Sequence, residues 1–257
     1  MKIIVAAHKP YWMPEDPVYQ PMQLGAANKP SIDPHWIRDD QGDNISDRNA
    51  TYCELTGLYW AWKHLNDDAM GLCHYRRYLG NGRYWMRKND RILTEAEAGR
   101  LLERGDIILP RKRHYWIETR ESQYAHAHHI EDLRCARRVI EERHPNYLPA
   151  FQRMLHTRSG HIYNMFVMRK PLFDEYCEWL FDILFEVERR LDISGYSAKD
   201  RRVFGYLGER LLDVWVEAKG LRVVEVPVIM LENQHWLKKG LSFLRRKFGE
   251  ELGYGSQ

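Results

Sequence analysis

The sequence predicts an α/β protein built on a mostly parallel central sheet flanked by helices, and three observations predict it. Short continuous apolar runs at 2–7, 70–73 and 106–109 have the character of strands buried on both faces. They alternate with amphipathic helical patterns in the order strand, loop, helix, strand, helix, strand. No repeat, low-complexity segment or Ser/Gly linker interrupts the 257 residues, which suffice for one large domain.

Taken in order, the first strand ends at His8 and Lys9. Prolines 10, 14, 17, 21, 30 and 34 then break any period, which predicts a long loop reaching to about residue 46. Ser46 or Asp47 can cap the next helix, whose Leu55, Leu58, Tyr59 and Trp62 share one apolar face. The second strand ends in His74, Tyr75, Arg76 and Arg77. Thr94 and Glu97 form a capping-box pattern for a short helix that Gly105 ends. After the strand at 106–109, a helix carries Ile130, Leu133 and Ile140 towards a core. The stretch HIYNMFVMRK reads as a strand with Tyr163, Phe166 and Val167 buried. Leu172, Tyr176, Trp179, Leu180, Ile183, Leu184 and Val187 mark a long helix, and a further one over 202–218 is closed by Gly220. A late strand contains Pro227, which suits a sheet edge.

Composition excludes several classes. With 44% hydrophobic and 29% charged residues the chain is an ordinary globular protein. A net charge of +3 is too slight to call for nucleic acid. The 9 Trp and 15 Tyr can fill a core or line a sugar or nucleotide site. Cys53, Cys73, Cys135 and Cys177 show no CxxC spacing. The first apolar run is too short for a secretory signal, and no run reaches the ~18 residues of a membrane span. Cytoplasmic location with reduced thiols is the expectation.

Ligands of open α/β sheets bind outside the carboxyl ends of the strands. Three strands deliver basic residues there: His8 and Lys9, then His74, Arg76 and Arg77, then Arg111, Lys112 and Arg113. Guanidinium forks bind phosphate oxygens in pairs, so a ligand with two or more phosphates is the natural counter-charge. The competing reading pairs Arg76 and Arg77 with Asp43 or Glu54 as structural ion pairs. No Walker A, GxGxxG or kinase signature occurs, so the nucleotide reading rests on strand-end placement. The HAHH cluster at 126–129 lacks metal-ligand spacing and reads as surface or core histidines. Glu209, on a helix beside Arg210, and Asp200 before it are candidate general bases, or else carboxylates of a solvated helix face. The segment 237–257 is a basic amphipathic tail, suited either to an anionic membrane surface or to docking on the domain.

The strings IIVAAHKPYWMP, GDNISDRNATYCELTGLYWAWKHL, GLCHYRRYL, DIILP, YNMFVMRKPLFDEYCEWLFDIL and RVFGYLGERLLDVWV occur here in order. Together they resemble a bacterial capsular and exopolysaccharide glycosyltransferase family long catalogued as a domain of unknown function, with galactofuranosyltransferase-like members. The resemblance implies a single GT-A-like, Rossmann-type glycosyltransferase domain over residues 1–236. It implies a UDP-sugar donor and a lipid-linked oligosaccharide or polysaccharide acceptor, with galactofuranose the expected sugar. It places His8 and Lys9 beside the nucleotide, Asp43, Asn44 and Ser46 near the donor, and His74, Arg76 and Arg77 at the diphosphate. Asn164 would lie next to the acceptor and Glu209 would be the favoured base, ahead of Asp200. Many GT-A enzymes carry an Asp-x-Asp metal motif where this chain has His-Tyr-Arg-Arg. That departure predicts that cations of the protein replace or supplement a divalent metal at the leaving diphosphate. The expected setting is the inner face of the plasma membrane, held there by the tail. A non-catalytic glycan- or nucleotide-binding module is the rival, and a metal phosphoesterase is disfavoured.

Overall fold

The computed structural model describes residues 1–232. The tail at 237–257 lies outside the described residues. The predicted sheet is present, with strands β1 (Lys2–Ala7), β2 (Tyr19–Gln23), β3 (Ile37–Arg38), β4 (Ala69–His74), β6 (Ile107–Pro110), β9 (Phe166–Arg169) and β10 (Val223–Val226) in the order β10-β6-β9-β4-β1-β2-β3. Neighbours are parallel except at β9, which runs antiparallel to both β4 and β6. A short β5 (Arg77–Leu79) folds back from β4 and pairs with β11 (Val228–Met230). A separate two-stranded ribbon joins β7 (Arg113–His114) to β8 (Ser159–Gly160).

Alternation along the strands explains why they read as continuous apolar runs. Ile4 and Ala6 of β1 face one core, and Ile3, Val5 and Ala7 face the other. The larger core packs under α2 (Leu55–His64), α5 (Ile130–Arg143), α6 (Leu148–His156), α7 (Lys170–Arg190) and α8 (Val203–Ala218). In α7 Tyr176, Trp179, Leu180, Ile183, Leu184 and Val187 are buried, as their spacing predicts, each such side chain contributing about 1.5–3 kcal/mol, while Phe173 is buried in place of the half-buried Leu172. The second core lies under α3 (Glu95–Arg104), opened by the predicted Thr94–Glu97 capping box.

Three expectations are corrected, and two helices are unanticipated. The proline-rich stretch is not all loop, because β2 and β3 lie within it. Pro21 is tolerated in β2 because β3 reaches only Met22 and Gln23, so no ladder bond needs the N–H that Pro21 lacks. The helix expected after Ser46 is broken: a short α1 (Asn49–Tyr52) stops at Cys53, whose φ of 53° is left-handed, and α2 follows. Asn49 holds this break by donating to the Cys53 carbonyl at 2.8 Å. The strand expected to bury Tyr163 begins only at Phe166, and Tyr163 is half-buried outside it with a left-handed φ of 79°. Finally, α4 (Arg120–Ala127) and α6 escape the sequence reading altogether.

Candidate functional site

Because β1, β4 and β6 point the same way, their carboxyl ends share one sheet edge, and the antiparallel β9 brings its entry residues 163–165 to that edge too. β1 delivers His8 and Lys9, and β4 delivers His74. The tight turn into β5 then sends Arg76 and Arg77 off the strand end rather than along it.

Tyr75 is the platform of this cluster. It is buried, meets the rings of His8 and Tyr11 edge-on at 5.1 Å, and carries the Arg76 guanidinium 5.0 Å from its ring centre. The Lys9 ammonium stands 5.7 Å from the same ring. Arg77 lies over the Tyr163 ring at 4.5 Å. The ion pairs with Asp43 or Glu54 are not formed. Arg76 meets Glu232 at 3.1 Å, at a position open to solvent. The Nε atoms of both Arg76 and Arg77 are buried without a hydrogen-bond partner among the described residues. Such orphaned donors are costly unless a ligand or water completes them.

The two histidines are held neutral. Burial, then the charges of Arg77 and Arg76, push His74 down to about 3. Burial, then Arg76, Lys9 and Arg202, lower His8 as well. The Arg76 N–H donates to Nδ1 of His74 at 3.3 Å, which leaves Nε2 as the protonated, donating nitrogen. The edge is therefore a field of fixed positive charge with neutral hydrogen-bonding groups set into it.

This arrangement has a consequence for stability. Between pH about 3 and 6.5 an unfolded His74 binds a proton that the folded one refuses, so stability rises with pH over that window and falls as the solution is acidified. His128, pushed down to about 4 by burial and Arg210, acts in the same direction. Urea unfolding from pH 6.5 to 4 should show stability falling by up to about 1.4 kcal/mol per pH unit for each such histidine. His74→Gln should flatten that slope, and an unchanged slope would refute the account of His74.

Beside the Arg77–Tyr163 contact, Tyr163 and Asn164 each hold one carboxylate. Asn164, 2% exposed, donates to Glu54 Oε1 at 2.9 Å and to the Gly205 carbonyl at 3.1 Å. Its own Oδ1 is buried without a partner among the described residues. Tyr163 and Asn164 are both left-handed, and the Tyr163 N–H donates to Glu209 Oε1 at 3.0 Å. Two successive left-handed residues thus hold two different carboxylates, Glu209 and Glu54. Gly208 leaves the room: a side-chain carbon there would stand 3.1 Å from Asn164 Oδ1 and 2.9 Å from Leu55. Glu209 has its pKa raised by burial and by Glu54, partly offset by Arg210. A carboxylate displaced upward in this way is suited to accept a proton.

Not every predicted residue joins this group. Ser46 is buried and donates to Asp39 at 2.5 Å. Asp43 accepts from Tyr59 at 3.0 Å, and its carbonyl meets His64, so Asp43 and Asn44 lie along the later turns of α2 rather than at the arginines. Asp200 is bound by Ser197 at 2.7 Å and faces His128 and His129 at 3.6 and 3.9 Å. The HAHH histidines divide, His126 going to Glu118. Among the described residues no group of three or more His, Cys, Asp or Glu stands ready to hold a metal ion. No helix among them is long and apolar enough to cross a membrane.

Sequence reading missed Glu54 as a partner of Asn164, and it missed Asp39 and Arg202. Asp39 is fully buried and accepts from the N–H groups of Gly25 and Ala26, both at 2.9 Å, and from Thr56 at 2.7 Å. It thereby fixes the turn after β2 to α2. Arg202 donates to Cys53 Sγ at 3.1 Å and adds its charge to the field on His8 and His74.

The family model DUF4422, a domain of unknown function, matches residues 2–220. A solved chain described as the apo structure of WbbM, a bifunctional glycosyltransferase, superposes with a TM-score of 0.84 at 32% identity. The match covers 90% of this chain and 45% of that one, so this chain spans less than half of its solved relative. No curated protein matches the sequence. The fold is mixed α/β and GT-A-like, with its largely parallel sheet between helices.

Proposed function

This chain belongs to the DUF4422 family, and we propose that it is a glycosyltransferase that takes a sugar from a UDP-sugar and passes it to a glycan acceptor. The observation that carries this reading is the strand-end cluster of Arg76 and Arg77, whose buried Nε donors have no partner among the described residues, with Arg77 resting on Tyr163, whose N–H holds Glu209, a carboxylate of raised pKa. The likeness to a bifunctional glycosyltransferase supports it.

In this reading the donor diphosphate lies against Arg76, Arg77 and Lys9, with His74 Nε2 and His8 as neutral donors. Glu209 takes the proton from an acceptor hydroxyl. The hydroxyl oxygen bonds to the anomeric carbon as the bond from that carbon to the diphosphate oxygen breaks, and UDP leaves with its electron pair. Glu209 ends the step protonated. Asn164 serves the acceptor side indirectly, by holding Glu54 and the Gly205 carbonyl in place. The arginines stabilise negative charge where it develops on the leaving group, the task a divalent metal serves where carboxylates can hold one. Of the remaining residues proposed for the donor, Asp43, Asn44 and Ser46 act at a distance, through the loop that Asp39 anchors. Galactofuranose is the proposed sugar and a lipid-linked polysaccharide the proposed acceptor, at the cytoplasmic face of the membrane.

The test is a thermal-unfolding series with UDP and UDP-sugars, in EDTA and with manganese. A ligand at 100 times its Kd stabilises the folded state by about 2.7 kcal/mol, a shift of several degrees for a chain of this size. UDP should raise the melting temperature in EDTA. Stabilisation only with manganese would overturn the substitution of arginine for metal, and no shift under either condition would overturn the donor class.

A further inference from the structure

Two loops at the same edge of the sheet carry side chains that the nucleotide site does not use. Residues 81–88 follow β5 at the point where the Gly80 N–H meets the Pro227 carbonyl, just beyond the end of β10. Residues 111–118 leave the end of β6. The loops are tied together by Arg111, which donates to the Tyr84 hydroxyl at 3.0 Å.

Their exposure is unusual in kind. Trp85 is 82% exposed, Trp116 80%, Ile117 76% and Tyr84 54%. An isolated exposed apolar residue needs no explanation, but two nearly bare indoles and an isoleucine on linked loops do. Trp116 is moreover held with a left-handed φ of 58°, which a bulky side chain adopts only under constraint. The constraint is visible: the Tyr115 N–H donates to Arg158 at 2.8 Å, and the Ile117 N–H turns back to Tyr115 at 2.7 Å. The backbone is thus fixed in a strained form that leaves the indole in solvent.

Basic residues predominate on these two loops. Residues 81–88 and 111–118 contain six Lys and Arg against a single carboxylate, Glu118. That carboxylate is taken by His126, and the neighbouring Glu97 is taken by Arg83. Arg87, Lys112 and Arg113 are exposed. Tryptophan with isoleucine, on loops that also carry the exposed Arg87, Lys112 and Arg113, matches the layered chemistry of a lipid surface: apolar groups enter the headgroup boundary while cations meet anionic phosphates.

We propose that these two loops form a docking surface for an anionic lipid bilayer, which would set the neighbouring nucleotide site against the membrane. These loops are distinct in sequence from residues 237–257 and from His8, Lys9, His74, Arg76 and Arg77 of the nucleotide site.

The experiment uses the full chain in a flotation assay with phosphatidylcholine vesicles, with and without phosphatidylglycerol. Binding should require phosphatidylglycerol and weaken as salt rises. A triple variant, Trp85→Ser with Trp116→Ser and Ile117→Ser, and a separate pair, Arg87→Glu with Lys88→Glu, should each lose more than about tenfold in vesicle affinity. Melting temperature and its response to UDP should stay as in the parent chain for both, which separates this surface from the nucleotide site. The proposal is overturned if the parent chain ignores anionic vesicles. It is equally overturned if both variants float as the parent does, which would locate binding elsewhere in the chain.

Discussion

Arg77→Ala should lower kcat/KM by about 10²–10³ while leaving the melting temperature within a few degrees of the parent. The size follows from what the side chain faces. Its Nε is buried without a partner among the described residues, and its guanidinium rests on the Tyr163 ring. Removing it takes away no buried ion pair, so the folded state loses packing and a cation–π contact of about 0.5–2 kcal/mol. In the proposed reaction the transition state loses a cation beside the leaving diphosphate. Arg77→Lys keeps the charge but not the fork, and should recover only part of the activity. Arg76→Ala should act in the same direction. A large drop in melting temperature with unchanged turnover of the folded fraction would show that Arg77 serves the fold instead.

Glu209→Gln should cut turnover by about 10²–10⁴, the range for loss of a general base, with UDP binding retained. Glutamine preserves the acceptor for the Tyr163 N–H and so keeps the strained 163–164 turn in place. It cannot take a proton from an attacking hydroxyl. Asp200→Asn should have a far smaller effect, because that carboxylate is engaged by Ser197 and faces two histidines. This pair of variants divides the two bases that the sequence offers. Turnover lost with Asp200 and kept without Glu209 would reverse their roles.

What the sequence discloses and what it hides follow from the range of the interactions. β1, β4 and β6 are legible because burial on both faces leaves an uninterrupted apolar run, and the α3 cap is legible because Thr94 and Glu97 are three residues apart. Those local rules placed His8, His74, Arg76 and Arg77 at one edge. β2 is hidden by Pro21, an acceptable strand residue only because β3 stops short of it. The fate of a carboxylate is hidden whenever its partner is remote: Glu54 meets Asn164 across 110 residues. Asp39 is invisible for the same reason, since its worth lies in four donors gathered from three separate segments. The left-handed Tyr163 and Asn164 sit inside an apolar stretch that reads as plain strand, and only tertiary contacts impose their conformation.

The most direct test of the central claim is release of UDP from a panel of UDP-sugars, UDP-galactofuranose among them, with and without a lipid-linked oligosaccharide acceptor. The account predicts release that depends on acceptor, proceeds in EDTA, and disappears in Glu209→Gln although UDP still stabilises that variant. A chain that binds UDP yet consumes no UDP-sugar in the presence of acceptor would contradict it, and would make the basic edge a binding site without chemistry.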